Sequence, residues 1–300
     1  MSGILIINKP AGLTSHDVID ILRQVSGVRR IGHTGTLDPM ATGVLVTCLE
    51  QATRIIEFIP DDKEYQAVLQ LGTTSDTLDR TGKILSHQPV NHISELQIKT
   101  EVAELIGSLK QVPPMFSAIK IKGRRLYELA RAGQSIPRPA RTVEIYDLKI
   151  TAINLPFVHL KIHCSSGTYI RSLAETVGEK LGCGALLFDL TRTRVGPFGL
   201  EQSIQLPQLN SLITLKKLLK PMETGINHLP TITVSPNDAQ KIKNGQSLKQ
   251  NTTRPFPNHY VRIYTNDANL LAIGKVHYSP NNECFLKPVK VLTVINDVSR

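Results

Sequence analysis

Hydrophobic residues in this chain recur every second position in some stretches and every third or fourth in others, and the two kinds of stretch follow no regular order. That irregular succession limits the fold more than any other feature. Residues 4–7 read as a strand. Residues 63–71 read as a half-buried one, with Tyr65, Ala67, Leu69 and Leu71 on one face and Glu64, Gln66 and Gln70 mostly on the other. A helix is expected after the turn Asn8-Lys9-Pro10-Ala11-Gly12, capped by Thr14 or Ser15, with Val18, Ile21, Leu22 and Val25 along one side and a stop at Gly27. Helical spacing returns over 94–109, 124–132 and 169–181, and strands are expected near 117–122, 142–153 and 156–164. A doubly wound fold needs a steady strand-helix-strand rhythm, so its absence predicts an α+β domain built on a mixed sheet.

The character of the chain changes over 218–230, where a Lys-rich helix end gives way to Pro221, Gly225 and Pro230. Short strand-like runs follow at 231–234, 260–264, 270–276 and 287–294, separated by Asn, Pro and Gly turns. The expectation is a large domain over 1–228 and a small, mostly β domain over 229–300. At 300 residues and 41% hydrophobic content, the chain can supply a core for each.

Apolar runs such as 4–7 and 43–46 fall far short of the roughly 18 residues of a membrane span. Met1-Ser2-Gly3 also lacks the basic start of a secretory signal, so a cytoplasmic location without membrane contact is expected. The four cysteines, Cys48, Cys164, Cys183 and Cys284, are scattered without a C-x-x-C pair, which points to reduced, buried thiols and not to a zinc site or a disulfide framework.

The formal net charge of +10 points to an anionic partner, and its distribution sharpens that reading. Between residues 110 and 141 stand eight basic residues (Lys110, Lys120, Lys122, Arg124, Arg125, Arg131, Arg138 and Arg141) against one acid, Glu128. The last 71 residues hold nine Lys or Arg against four Asp or Glu. Either stretch alone could be a solvated face; the two together favour nucleic acid. Lys120, Lys122, Arg124 and Arg125 suit phosphate contacts, which add affinity without reading sequence.

One segment gathers residues suited to chemistry: Gly32-His33-Thr34-Gly35-Thr36-Leu37-Asp38-Pro39-Met40-Ala41-Thr42-Gly43. Glycines and small hydroxyl residues surround one acid held ahead of a proline, a composition that makes a tight loop whose backbone can approach a ligand. No Gly-Lys-Ser/Thr follows and the segment contains no G-x-G, so it is neither a P-loop nor a dinucleotide fingerprint. Local chemistry leaves Asp38 open between turn former, helix cap and catalyst.

From Gly32 to Leu45 the sequence resembles the TruB family of tRNA pseudouridine synthases, matching every fixed position of the signature G-H-x-G-x-L-D-P-x-A-x-G-x-L. Asn8-Lys9-Pro10-x-Gly12-x-Thr14-Ser15 resembles the family's N-terminal motif, and Lys63-Glu64-Tyr65 its tyrosine strand. Pro113-Pro114-x-Phe116-Ser117-Ala118-x-Lys120 through Arg131 resembles the segment carrying the RNA-clasping insertion, here about 110–141. Ser166-Gly167-Thr168-Tyr169-Ile170-Arg171-Ser172-Leu173 resembles the arginine motif. Two regions depart from the family: Phe188 and Asp189 are unusual within 184–194, and the C-terminal region is diverged.

The resemblance implies isomerisation of uridine to pseudouridine in the T loop of tRNA, at position 55, with base flipping and with no cofactor or metal. It implies Asp38 as the residue acting on the flipped uridine, Tyr65 as stacking platform and proton-transfer partner, and Arg171 as the counter-charge of Asp38. Without it, Tyr65 is a buried strand tyrosine and Arg171 a solvent-facing helix residue. His33 is either a local hydrogen bonder or a ring that enters the RNA loop. By the same implication Lys9 and Pro10 shape the pocket floor, Tyr169 and Leu190 form its wall, and the C-terminal module is a PUA-like RNA-binding domain. The partner would be the tRNA T-stem-loop, bound by a monomer with no obligate protein partner. The competing reading is a tRNA-binding or tRNA-folding protein whose catalytic activity is secondary or absent.

Overall fold

The computed structural model describes residues 1–117, 119–121, 123–250 and 259–292. Lys122 and the tail of the last expected strand, residues 293–294, lie outside the described residues.

A ten-stranded mixed sheet organises the chain. Strand Gly3–Lys9 pairs antiparallel with Thr42–Leu49, which runs parallel to Ala185–Val195; that strand is antiparallel to Lys63–Leu71, followed outward by Phe157–Cys164, Arg141–Asn154 and Gly107–Gln111. Gly3–Lys9 is apolar in consecutive positions because both of its faces are covered. Leu5 and Ile7 join Leu45 and Leu49 beneath Val18, Ile19 and Leu22 of helix Ser15–Ser26, while Ile4 and Ile6 join Val44, Val46 and Phe58 on the reverse. Thr14 caps that helix in a capping box with Asp17, and Gly27, at φ 69°, closes it in the left-handed conformation that glycine adopts freely.

Lys63–Leu71 alternates as its sequence predicts, with Tyr65, Ala67, Leu69 and Leu71 in a core shared with helices Glu95–Ala103 and Ile170–Lys180. Three expectations change. The helix over 94–109 stops at Ala103, and Gly107–Gln111 becomes a sheet strand against Arg141–Asn154. The helix over 124–132 is shorter: Arg124–Arg125 pairs with Lys120–Ile121 in a small hairpin before helix Leu126–Arg131. Strand Ala185–Val195, in the middle of the sheet, has no counterpart in the sequence reading, because bulges at Phe188 and Thr193 interrupt its alternation. The bulge also accounts for Phe188, whose ring meets Phe157 at 4.9 Å with the Arg80 guanidinium over it.

The C-terminal strands form a separate five-stranded sheet: Thr231–Val234, Tyr260–Thr265, Leu270–Tyr278, Cys284–Val291 and Leu248–Gln250 in spatial order. Helix Pro236–Lys243, which the sequence reading lacks, covers part of it through Ala239 and Ile242. Leu270, Ile273 and Leu292 pack into the apolar cluster under Ile4, Phe58 and Val195, so the small sheet is seated on the back of the large one. All four cysteines are free and buried. Among the described residues no helix is long and apolar enough to cross a membrane, and no group of His, Cys, Asp or Glu could hold a metal ion.

Candidate active site

The glycine-rich loop connects strands Ile31–His33 and Thr42–Leu49, which pair antiparallel, so residues 34–41 project from one edge of a hairpin. Neighbouring segments fix its shape. Ser15 Oγ accepts from Leu37 N–H at 2.8 Å, and Gly12 N–H donates to Pro39 O at 2.8 Å. Lys9 is fully buried, and its ammonium donates to Pro10 O, Leu13 O and Pro39 O at 2.9, 2.7 and 3.3 Å. From the other side Arg192, 1% exposed, donates to Gly35 O, Thr36 O and Val44 O. Gly43, at φ 102°, lets the backbone pass so close to Arg192 that a Cβ would stand 2.2 Å from its carbonyl oxygen. The N-terminal motif is therefore a brace for the loop that carries Asp38.

Lys9 titrates away from its ordinary value for a physical reason. Burial of the ammonium lowers its pKa from 10.5 to about 8, with Asp38 opposing. Between these values the unfolded chain holds more protons than the folded one, so stability should rise with pH across that window. The gain is at most about 3 kcal/mol. Chemical denaturation of wild type and Lys9→Met at pH 8 and pH 10 checks it: because other buried groups titrate in the same window, the expected signature is a change in stability from pH 8 to pH 10 that is more favourable in wild type than in the variant.

Asp38 faces a cleft of about 390 Å³ lined by the loop, Lys63, Tyr65, Ser117, residues 166–171, Leu190 and Arg192. Arg171 meets it from the first turn of helix Ile170–Lys180. Nη2 donates to Asp38 Oδ1 at 3.1 Å, and Nε lies 2.8 Å from Oδ2 but off the line of a hydrogen bond. Arg171 is held in turn by Thr77 O and Phe116 O, at 3.1 and 2.8 Å, with Asp79 at 3.8 Å. The Arg171 side chain is 4% exposed, whereas that of Asp38 retains 33% and lines the cleft. Enclosure raises the pKa of Asp38, Arg171 pulls it down, and Asp79 pushes it up again. Arg171 is thus what favours a carboxylate in this enclosed position.

Burial pushes the Tyr65 phenol up to about 12, so it stays protonated at neutral pH. Tyr169 lines the cleft at the start of the arginine helix, where buried Gln111 accepts from its N–H at 2.9 Å and donates to its carbonyl at 3.3 Å. Leu190 lines it as well: the bulge at Phe188 shifts the phase of strand Ala185–Val195 so that Leu190 and Arg192 face inward.

Of the residues singled out by sequence, Asp38, Tyr65, Tyr169, Arg171 and Leu190 converge on the cleft. Arg171, solvent-facing by helix pattern alone, is buried because its partners surround the helix start. Lys9 and Pro10, expected at the pocket floor, do not line the cleft: Lys9 lies beneath the Asp38 loop and Pro10 is exposed. His33 is half-buried outside the lining, with its Nδ1 unpaired and its pKa lowered by burial. Lys120, Arg124 and Arg125 are exposed on the small hairpin. Arg192, Lys63 and Gln111 are the residues the sequence reading passed over. Arg192 falls within a bulged strand, and nothing in the local pattern marks Gln111.

A family model described as TruB family pseudouridylate synthase, N-terminal domain, matches residues 23–170, and one described as tRNA pseudouridylate synthase B C-terminal domain matches 171–227. Tyrosine-strand, loop and arginine helix all lie within these matches. The chain is similar to tRNA pseudouridine synthase B of Clostridium tetani, 41% identical over 89% of this chain and 93% of that protein. It is also similar to tRNA pseudouridine synthase B of Bacillus cytotoxicus, 38% identical over 97% of each. Among solved structures it resembles a chain of a Cbf5-Nop10-Gar1 complex, with a TM-score of 0.74 and 27% identity over 97% of this chain and 85% of that one. A cleft built by these motifs, within a sequence matched over most of its length, places the chain in the TruB family of pseudouridylate synthases.

Proposed function

We propose that this enzyme converts a uridine of the tRNA T loop, position 55, to pseudouridine, with Asp38 as the residue that acts on the extruded nucleoside. The observation that carries the reading is the pairing of Asp38 with Arg171 at the wall of a cleft of about 390 Å³ that Tyr65 also lines. The names of its relatives supply tRNA as substrate. Isomerisation breaks the bond between C1′ and N1, turns the base and joins C1′ to C5; the C5 proton leaves and N1 gains one. A uridine must leave its stack to reach Asp38, at a cost of a few kcal/mol. Stacking on Tyr65, worth about 1–3 kcal/mol, would offset it. Arg171 favours the charged form of the Asp38 carboxylate, and the protonated Tyr65 hydroxyl is suited to donate. The small C-terminal sheet would serve as a PUA-like RNA-binding domain, from about residue 229, in a cytoplasmic, monomeric enzyme.

Release of label from a T-stem-loop carrying 5-tritiated uridine tests the assignment, with turnover by the purified chain as the expected result. If the chain instead needed guide RNA or protein partners, a bare stem-loop would yield no product. A tRNA-binding protein without activity would bind the stem-loop and release nothing.

The exposed hairpin supplies a separate expectation. Replacing Lys120, Arg124 and Arg125 together with Gln should weaken tRNA binding and reduce the slope of log affinity against log salt by about 2, since each lost phosphate contact removes one counterion-release contribution of roughly 0.7–0.9. Filter binding over a salt series would measure it; an unchanged slope would mean that the hairpin does not meet phosphate.

A further inference from the structure

A lysine ammonium carries three donors and a full charge, and a buried one is tolerated where an anion or enough acceptors meet it. Lys63 opens strand Lys63–Leu71, two positions before Tyr65 and on the same face, and both residues line the cleft. It is 7% exposed. Its side chain runs along the Asp38 loop: a Cβ on Gly35 would stand 3.3 Å from Lys63 Cε and 3.9 Å from Nζ. Nζ donates to Asp61 O, and among the described residues Lys63 forms no ion pair. Of the two carboxylates that precede it in sequence, Asp61 is exposed and Asp62 is held by His163 and Arg194 at 2.9 and 2.8 Å. Burial disfavours the Lys63 ammonium, with the charge of Asp61 opposing.

The charges along the cleft do not balance. Its lining holds Lys63, Arg171 and Arg192 against one carboxylate, Asp38. Arg171 takes that carboxylate, and Arg192 is closed off by the carbonyls of Gly35, Thr36 and Val44. Lys63 is the cation left with donors to spare. A nucleotide brings its own anions, since an extruded uridine stays joined to a phosphate on each side. Two positions along a strand span about 6–7 Å, comparable to the reach from a base across its ribose to the phosphate. We propose that the Lys63 ammonium binds a phosphate flanking the extruded uridine and so fixes how deeply the nucleotide enters between Tyr65 and Asp38. The inference rests on the cleft being the uridine site. A phosphate held here belongs to the reacting nucleotide, unlike one met by the exposed hairpin, so both affinity and rate depend on it.

Filter binding of wild type, Lys63→Gln and Lys63→Arg to the T-stem-loop tests it, alongside two stem-loops in which the phosphate on the 5′ or the 3′ side of the target uridine is an uncharged methylphosphonate. Lys63→Gln should weaken binding of the unmodified RNA by about tenfold and reduce its salt slope by roughly 0.7–0.9, the contribution of one phosphate. Lys63→Arg, which keeps the charge, should stay within about threefold of wild type, and single-turnover rate should fall more in the glutamine than in the arginine variant. On one of the two methylphosphonate RNAs wild type should lose as much affinity as Lys63→Gln does on the unmodified RNA, and the variant should then lose no more than about twofold further. A Lys63→Gln effect that persists in full on both uncharged RNAs would overturn the proposal and leave Lys63 as a support for the Asp38 loop. A crystal structure of Asp38→Asn with the stem-loop needs no change at position 63 and covers the case in which Lys63→Gln does not fold. A phosphate oxygen flanking the uridine is expected within hydrogen-bond distance of Nζ, and an ammonium bonded only to protein or base would overturn the proposal equally. Binding and diffraction read no product, so turnover combined with additive losses would sink this proposal alone, whereas absence of turnover would count against the activity assignment.

Discussion

Asp38→Asn should lower the single-turnover rate of pseudouridine formation by roughly 10⁴-fold or more while tRNA affinity changes by no more than about threefold. The substitution keeps the shape of the side chain and removes its charge. Arg171 retains Thr77 O, Phe116 O and Asp79, so the fold has other means of holding the guanidinium, and thermal stability should be nearly unchanged. Quench-flow mapping of product together with filter binding separates the two effects. A loss of affinity equal to the loss of rate would place Asp38 in uniform binding and not in the chemical step.

Arg171→Met should damage the site in two ways at once, because it affects both charge and structure. It leaves the carboxylates of Asp38 and Asp79 facing one another without their shared cation. Breaking a buried pair in this way costs about 3–5 kcal/mol, and the lower end applies because the Asp38 side chain is one-third exposed and partly screened. Catalysis should fall by about 10²- to 10⁴-fold at neutral pH. The sign of its pH dependence follows from Asp38. Its pKa is already raised by enclosure, and loss of Arg171 raises it further, so the acidic limb of the rate profile should move up by about one to three units. Some activity should return on the alkaline side. A carboxyl with a raised folded pKa binds more protons folded than unfolded between its ordinary and raised values. The variant's stability should therefore fall as pH rises through that window, more steeply than in wild type. Rate profiles and urea melts between pH 5 and 9 would show both trends; a limb that does not move would detach Arg171 from the ionisation of Asp38.

Much of the site was legible in sequence, for identifiable reasons. Tyr65 lies on a strand whose alternation is unbroken, so its inward face could be read directly. The Asp38 loop is marked by composition, yet composition alone leaves Asp38 open between turn former, helix cap and catalyst; the motif around it, not local chemistry, singles it out. Arg171 was hidden because helical patterning treats arginine as polar and outward. Its burial comes from Asp38, Thr77, Phe116 and Asp79, which lie 133, 94, 55 and 92 residues away along the chain. Arg192 was hidden by two bulges that break the period of its strand. Lys9 was assigned to the right neighbourhood but the wrong side: three carbonyls attract its ammonium beneath the loop, and none of the three belongs to the cleft lining. The strand Gly107–Gln111 was lost because apolar spacing at Leu105, Ile106 and Leu109 continues the preceding helix pattern across Gly107, where φ is 100° and a helix cannot continue.

The most direct measurement is tritium release from a minimal T-stem-loop labelled at C5 of its position-55 uridine alone, using purified wild-type chain with no other protein or RNA. Stoichiometric release, with pseudouridine recovered at that position and none from Asp38→Asn, is the expected result. Absence of release by the wild type, or release sustained by the Asp38 variant, would contradict it.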